Sequence, residues 1–270
     1  MNKQTQIKVM FDSNVWERLV SLPIPISQKD DFALHSIYQK IIEGNILPFI
    51  SDGVYVEAIT KELRGQVLSA FVKTSYKMES VGNNFHLKIL TNDAALPPLP
   101  KILIDKVDKA IKLGFKFIST HRIGFPHADL PLLYLVNDLK KFQLIEQRLE
   151  AAHDLLIKLD AGDCWINELS SNIFARNNLP SNTNWLRALE FANNIEKKKI
   201  PKAVAEWCDG DAVITCHAYG LDYLCTFDKG KGAGEKSVLS IKNREILKES
   251  LDLIILDPKE LLGLFDNRGQ

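Results

Sequence analysis

The sequence has no apolar run approaching the roughly 20 residues that a membrane-spanning helix requires. Its first residues, Met1 to Gln6, are polar and contain no hydrophobic core of a secretory leader. Internal repeats and low-complexity tracts are also missing. We therefore expect a cytoplasmic protein that is not bound to a membrane.

Cysteine is scarce: there are four in 270 residues, and no two have the C-x-x-C spacing typical of a zinc site. Each stands among apolar residues, where a cysteine is usually a small buried hydrophobe. We therefore predict structural thiols in a reducing compartment. The four are Cys164, Cys208, Cys216 and Cys225.

An excess of positive charge is missing as well, because 34 lysines and arginines balance 34 acids. Proteins that bind nucleic acid over a long surface usually carry a basic excess. The balance therefore favours at most a local nucleic-acid patch. What is present is an ordinary globular composition, 46% hydrophobic and 25% charged, in a chain long enough to bury a large core.

Predicted strands and helices alternate at both ends of the chain, which is typical of an α/β fold with a mainly parallel sheet. Pro48 interrupts one apolar run, which we therefore expect to be an edge strand at best. The predicted strands are 7–11, 46–50, 223–226 and 253–256, and the predicted helices are 14–22, 30–43, 209–219 and 258–265, with a further helix after Ser51.

The long region between these ends, residues 66–205, is mostly helical by pattern. Residues 115–119 are typical of one additional strand. Helices are predicted around 101–113, 132–156, 161–176 and 184–198. We predict one domain assembled from residues 1–65 and 206–270, with 66–205 as a large helical insertion packed on it.

Two aspartates follow predicted strands. Asp12 comes directly after strand 7–11, and Asp228 comes just after strand 223–226. In a parallel α/β sheet, ligands bind outside the carboxyl ends of the strands, so these two carboxylates can face one crevice. The alternative for each is an ordinary cap or turn residue.

Two further acids are candidates on predicted helices. Glu57 lies among apolar residues, so its carboxylate needs a metal or a cation such as Arg64 if it is buried; a solvated position is the alternative. Asp211 lies near the start of helix 209–219. Because Asp209 is the better capping residue there, Asp211 is the stronger site candidate.

Together these four acids suit a hard divalent cation. Mg²⁺ and Mn²⁺ prefer oxygen ligands and keep several waters. One or two such metals activate a water, neutralise phosphate charge and stabilise the leaving oxygen in phosphodiester hydrolysis. Asp12, Glu57, Asp211 and Asp228 therefore predict metal-dependent phosphodiester chemistry.

At these positions the sequence resembles the PIN-domain family in four blocks that follow the family's order. The blocks are Ile7–Phe11 running into Asp12-Ser13-Asn14, Ile50-Ser51 followed by Glu57, Asp211-Ala212-Val213-Ile214 followed by Ala218 and Gly220, and Leu224–Asp228 with its Thr226. Leu253–Leu256 with Pro258–Leu262 is similar to the family's closing strand and helix.

The resemblance implies a three-layer α/β/α fold with a mainly parallel central sheet, and Mg²⁺- or Mn²⁺-dependent endoribonuclease activity on an RNA substrate. Asn14 and Thr226 are then supporting polar groups in the substrate site. The resemblance also leaves room for an inhibitory or regulatory protein partner. The catalytic, metal-binding acids that it implies are Asp12, Glu57, Asp211 and Asp228.

The chain departs from the family pattern in two places. The insertion 66–205 is much longer than the region that joins the second and third blocks in small members, which leaves self-association or a partner surface open. Asp228 is followed by a glycine-rich basic loop, residues 229–237, which lacks the spacing of a nucleotide-binding P-loop. Lys229 and Lys231 are its candidate phosphate-binding groups, and a plain surface loop is the alternative.

Two functions therefore stand beside the ribonuclease. One is a structure-specific DNA nuclease that uses the same acids. The other is a catalytically silent PIN-like module that binds RNA or protein.

Overall fold

A computed structural model describes residues 6–22, 29–51, 53, 75–81, 84–90, 101–118, 139–180, 185–231 and 234–266. The predicted helix after Ser51, which carries Glu57, lies outside the described residues.

Five parallel strands form the central sheet. They are β1 (Ile7–Phe11), β2 (Ile46–Ser51), β5 (Lys116–Ile118), β6 (Tyr223–Cys225) and β7 (Ile254–Leu256), in the order β5-β2-β1-β6-β7. Two further strands, β3 (Ser75–Val81) and β4 (Asn84–Leu90), form a separate antiparallel pair. The prediction of an α/β protein with a parallel sheet is confirmed.

The crevice of this sheet lies between the central strand β1 and its neighbour β6. After β1 the chain adds β2 and β5 on one side, and it then crosses over to add β6 and β7 on the other. Open parallel sheets bind ligands where the strand order reverses, at the carboxyl ends of the strands. At that point Asp12 N donates to Cys225 O at 3.0 Å, and Thr226 directly follows β6.

Helices cover both faces of the sheet. The described helices are α1 (Ser13–Leu19), α2 (Lys29–Ile42), α3 (Lys101–Leu113), α4 (Leu139–Lys158), α5 (Cys164–Arg176), α6 (Asn194–Ala218), α7 (Ile241–Leu251) and α8 (Pro258–Asp266), with 3-10 turns at Trp185–Phe191 and Gly234–Lys236. Alternate residues of β1 point to opposite faces. Val9 and Phe11 pack with residues of α1, α2, α3 and α8, whereas Met10 packs with residues of α4 and α6.

The expectation that the run around Pro48 is an edge strand is wrong, because β2 lies between β1 and β5. Ile7 N donates to Asn45 O. In a parallel pair every second residue of a strand bonds to the same neighbour, so the odd-numbered residues of β2 bond to β1. The nitrogen of Pro48, an even-numbered residue, therefore faces β5. Pairing with β5 begins only at Phe49. The missing N–H of Pro48 therefore removes no hydrogen bond from the sheet.

The predicted helix start at Asp209 is also wrong, because α6 runs unbroken from Asn194 to Ala218. Its true start is fixed by a capping box, in which the Asn193 side chain and the Glu196 side chain satisfy each other's backbone N–H groups. Thirteen buried residues hold the helix together across Pro201 and Gly210. Asp209 and Asp211 therefore lie in the interior of a helix, and neither is its cap.

The region predicted as an insertion contributes to the sheet domain. The additional strand predicted at 115–119 is confirmed as β5, and α3 buries Leu103, Val107 and Ala110 in the same core as β1. The hairpin of β3 and β4 was not predicted. The domain division itself stays a prediction.

Three of the four cysteines are buried, and Cys164 is partly exposed. Within the described ranges, no helix is long and apolar enough to cross a membrane.

Candidate active site at the carboxyl ends of β1 and β6

Asp12 is the first residue after β1 and the N-cap of α1. Its Oδ1 accepts from Ser13 N at 2.6 Å and, more weakly, from the Ser13 hydroxyl at 3.3 Å. Its Oδ2 accepts from Asn14 Nδ2 at 2.6 Å and from the Thr226 hydroxyl at 2.5 Å. All four donors are neutral, and Asp12 forms no ion pair with any residue that the structure describes.

Asn14 and Thr226, the predicted supporting groups, are brought together with Asp12. Asn14 Nδ2 donates to the Thr226 hydroxyl at 3.1 Å, and Asn14 Oδ1 accepts from Phe227 N at 3.0 Å. Thr226 is fully buried. The polar side chains that follow β1 and β6 therefore form one connected network.

Asp228 lies at the edge of this network. Its backbone N–H donates to the Thr226 hydroxyl at 3.0 Å, and its Oδ1 accepts from Gly230 N at 2.7 Å. Its Oδ2 makes no hydrogen bond to a described residue, so this oxygen remains available to a ligand.

Burial raises the pKa of Asp12, and the hydrogen bonds from Thr226 and Ser13 oppose this in part. The negative charge of Asp228 raises the pKa further. Asp12 is partly buried and Asp228 is exposed, and a cation beside the two carboxylates would relieve their repulsion.

The two acids of α6 face different cavities. Asp209 lines a small cavity of about 10 Å³ together with Asp12 and Ser51, which is room for about one water or ion. Asp211 is 2% exposed and lines a cavity of about 300 Å³ between α4 and α6, beside His153 and Thr215. The reason is helical geometry, because residues two apart on an α-helix point in nearly opposite directions.

The predicted phosphate-binding lysines lie on the loop after Asp228. Lys229 has a half-exposed side chain whose Nζ is 3.7 Å from Asp257 Oδ2, and Lys231 is exposed. Asp257 follows β7 and caps α8, accepting from Lys259 N and Glu260 N.

Two residues near the site were missed by the sequence analysis. Glu206 of α6 is 7% exposed; burial raises its pKa, and the negative charge of Asp228 raises it further. The Glu206 carboxylate bonds to Ser237, whereas its Oε2 makes no hydrogen bond within the described part of the chain. Arg244 of α7 donates from Nη2 to the carbonyl oxygen of Asp228. Glu206 lies between the helices predicted at 184–198 and 209–219, and the helix of Arg244 was not predicted.

The donor chemistry of the crevice suits a hard cation, although the described acids do not complete a site. Asp12 already accepts four hydrogen bonds, so a metal bound at Oδ1 would take the place of the long bond from the Ser13 hydroxyl. Among the residues that the structure describes, no three His, Cys, Asp or Glu side chains are arranged to hold a metal. Glu57 lies outside those residues.

Comparison of the chain with protein-family models, curated proteins and solved structures finds no match.

Proposed function

We propose that this protein is a metal-dependent nuclease that hydrolyses RNA phosphodiester bonds at the carboxyl ends of β1 and β6. The observation that carries the proposal is the Asp12 carboxylate, which is held beside Asp228 by neutral donors only, at the crossover of a parallel sheet.

In this proposal Asp12 and Asp228 hold Mg²⁺ or Mn²⁺, with Glu57 and an acid of α6 completing the site. The metal supplies an activated water and neutralises charge on the phosphate. Asn14 and Thr226 fix the Asp12 carboxylate in one orientation, so its oxygens are already placed to bind the metal before the substrate arrives. Lys229 and Lys231 bind the substrate backbone.

A PIN-like fold is part of the same proposal. The five-stranded parallel sheet, the helices on both faces and the acids after β1 and β6 support it. RNA is preferred to DNA because of the resemblance to the PIN-domain family.

The test is cleavage of single-stranded RNA, structured RNA and matched DNA with Mn²⁺, Mg²⁺ or EDTA. The variants are Asp12→Asn, Asp228→Asn, Asp209→Asn and Asp211→Asn. Asp105→Asn, an exposed acid of α3, is the matched control. We expect metal-dependent RNA cleavage that is lost in the Asp12 and Asp228 variants and kept in the control.

The two variants of α6 decide which of its acids completes the site. The small cavity beside Asp12 favours Asp209, whereas the family resemblance favours Asp211. Cleavage of DNA in preference to RNA would favour the structure-specific DNA nuclease. RNA binding without cleavage at any metal concentration would instead favour the silent binding module.

A further inference from the structure

The basic loop, described at residues 229–231 and 234–237, begins after Asp228, and its start at Gly230 lies against Leu239 and Ser240, which follow its end. Its two ends touch. Gly230 has a φ of +68°, and a Cβ atom on it would lie 2.5 Å from Ser240 N. Only glycine fits this close approach. We call this contact between Gly230 and Leu239–Ser240 the neck of the loop.

One side chain holds both sides of this neck. Arg244 donates from Nε to Leu239 O at 2.9 Å and from Nη2 to Asp228 O. Burial lowers the pKa of Arg244, and the negative charges of Glu260, Asp228, Asp257 and Asp12 oppose this in part. Arg244 bonds to the backbone carbonyl of Asp228 and not to its carboxylate, so Asp228 Oδ2 remains available to a ligand.

A second anchor lies on the returning side of the loop. The Glu206 carboxylate bonds to the Ser237 hydroxyl and to Val238 N–H. Ser237 O also accepts from Asn243 Nδ2 at 2.8 Å, and Ser237 is fully buried. The returning segment is therefore fixed from two helices, α6 and α7.

The loop presents positive charge next to the two acids. Lys231 is exposed, and the side chain of Lys229 is 53% exposed with its Nζ 3.7 Å from Asp257 Oδ2. Lys236 is paired with Asp160 at 2.8 Å and with Glu168 at 3.7 Å, so Lys229 and Lys231 are the lysines left to bind a substrate. Lys229 immediately follows Asp228 in the sequence, and a phosphate that it binds replaces Asp257 as its partner. Holding the loop in place reduces the entropy lost when these lysines are ordered on a substrate.

We propose that Arg244 is a positioning residue that closes the neck of the basic loop so that Lys229 and Lys231 bind the phosphate backbone of a nucleic acid beside Asp228. This inference rests on the proposed nuclease function, and it identifies a residue that holds the substrate-binding lysines in place.

The test measures binding of a short fluorescein-labelled single-stranded RNA by anisotropy, in EDTA and at several salt concentrations, together with amide hydrogen exchange of the loop. The variants are Arg244→Gln, Gly230→Ala, the double variant Lys229→Gln/Lys231→Gln, and the triple variant that adds Arg244→Gln. Arg187→Gln is the matched control, because Arg187 is an exposed arginine remote in sequence from the loop.

We expect the double lysine variant to weaken binding about tenfold and to lower the salt slope by about one for each phosphate that a lysine no longer neutralises. Arg244→Gln and Gly230→Ala should weaken binding similarly and speed exchange in the loop. The triple variant should bind about as well as the double, because Arg244 acts through the lysines. The Arg187 variant should match the wild type.

Additive losses in the triple variant, or an Arg244 variant with unchanged exchange in the loop, would overturn the inference. So would a wild type that binds no RNA. If the wild type binds RNA through the loop but cuts nothing with Mn²⁺, the nuclease proposal fails and the positioning role of Arg244 stands.

Discussion

The Thr226 hydroxyl donates to Asp12 Oδ2 at 2.5 Å, although the two residues are 214 positions apart in the sequence. The same hydroxyl accepts from Asn14 Nδ2 and from Asp228 N. One donated and two accepted bonds use the full capacity of a hydroxyl. Thr226 therefore sets the positions of both acids of the candidate site at once.

Replacing this hydroxyl should cost both stability and activity. Thr226→Val leaves three buried or partly buried polar groups without their partner, so we expect a loss of about 1–3 kcal/mol in the free energy of unfolding. Thr226→Ser keeps the hydroxyl and is the matched control, with a smaller loss. Urea unfolding measures both, and a valine variant as stable as the serine variant would contradict the role given to this network.

Divalent metal should stabilise the folded protein through Asp12. At a Mn²⁺ concentration 100 times its dissociation constant, binding to the folded state adds about 2.7 kcal/mol. We expect the melting temperature of the metal-free wild type to rise with Mn²⁺ and that of Asp12→Asn to stay constant. Asp105→Asn, with the same change of charge on an exposed face of α3, should respond like the wild type. An equal rise in the Asp12 variant would place the metal elsewhere.

The sheet and the polar groups around Asp12 could be predicted because they depend on local sequence. Apolar runs such as Ile7–Phe11 form buried strands, and a polar residue directly after such a run falls at the carboxyl edge of the sheet. Asp12 was found in this way, whereas Asn14 and Thr226 were predicted from the resemblance to the PIN-domain family, and the structure joins all three.

The remaining site residues depend on packing between distant elements. Gly210 is typical of a helix break, but tertiary contacts keep α6 continuous, so the two aspartates beside it are both interior. Helix α7 buries only Asn243 and Leu247, which leaves no apolar stripe from which to predict it. No sequence pattern therefore identified Arg244 as a residue near the site.

The stability of the protein should depend on the protonation of Glu206. Burial raises the pKa of Glu206 above 4.5; the Ser237 hydroxyl opposes this, and the charge of Asp228 adds to it. The folded state thus binds this proton more tightly than the unfolded state, so its contribution to the free energy of unfolding falls as the pH rises from 4.5 through the raised pKa.

We therefore expect Glu206→Gln to lose this part of the pH dependence and to gain stability relative to the wild type towards neutral pH. Urea unfolding in metal-free buffer across that range measures it. Glu249→Gln, on the exposed surface of α7, is the control and should keep the pH dependence of the wild type. Parallel curves for the wild type and the Glu206 variant would show that Glu206 titrates alike in the folded and unfolded states.

The contact between α6 and the turn that precedes α5 should tolerate no side chain at Gly210. A Cβ atom there would lie 2.8 Å from Gly162 Cα, so Gly210→Ala pushes the helix off the turn and should destabilise the fold by about 1–3 kcal/mol. Gly263 of α8 has nothing within 4 Å of the corresponding position. Gly263→Ala should therefore stabilise the protein by about 0.5–1 kcal/mol, the usual gain in a helix interior. Urea unfolding of the two variants should give changes of opposite sign, and two changes of the same sign would contradict the close approach of Gly210 to Gly162.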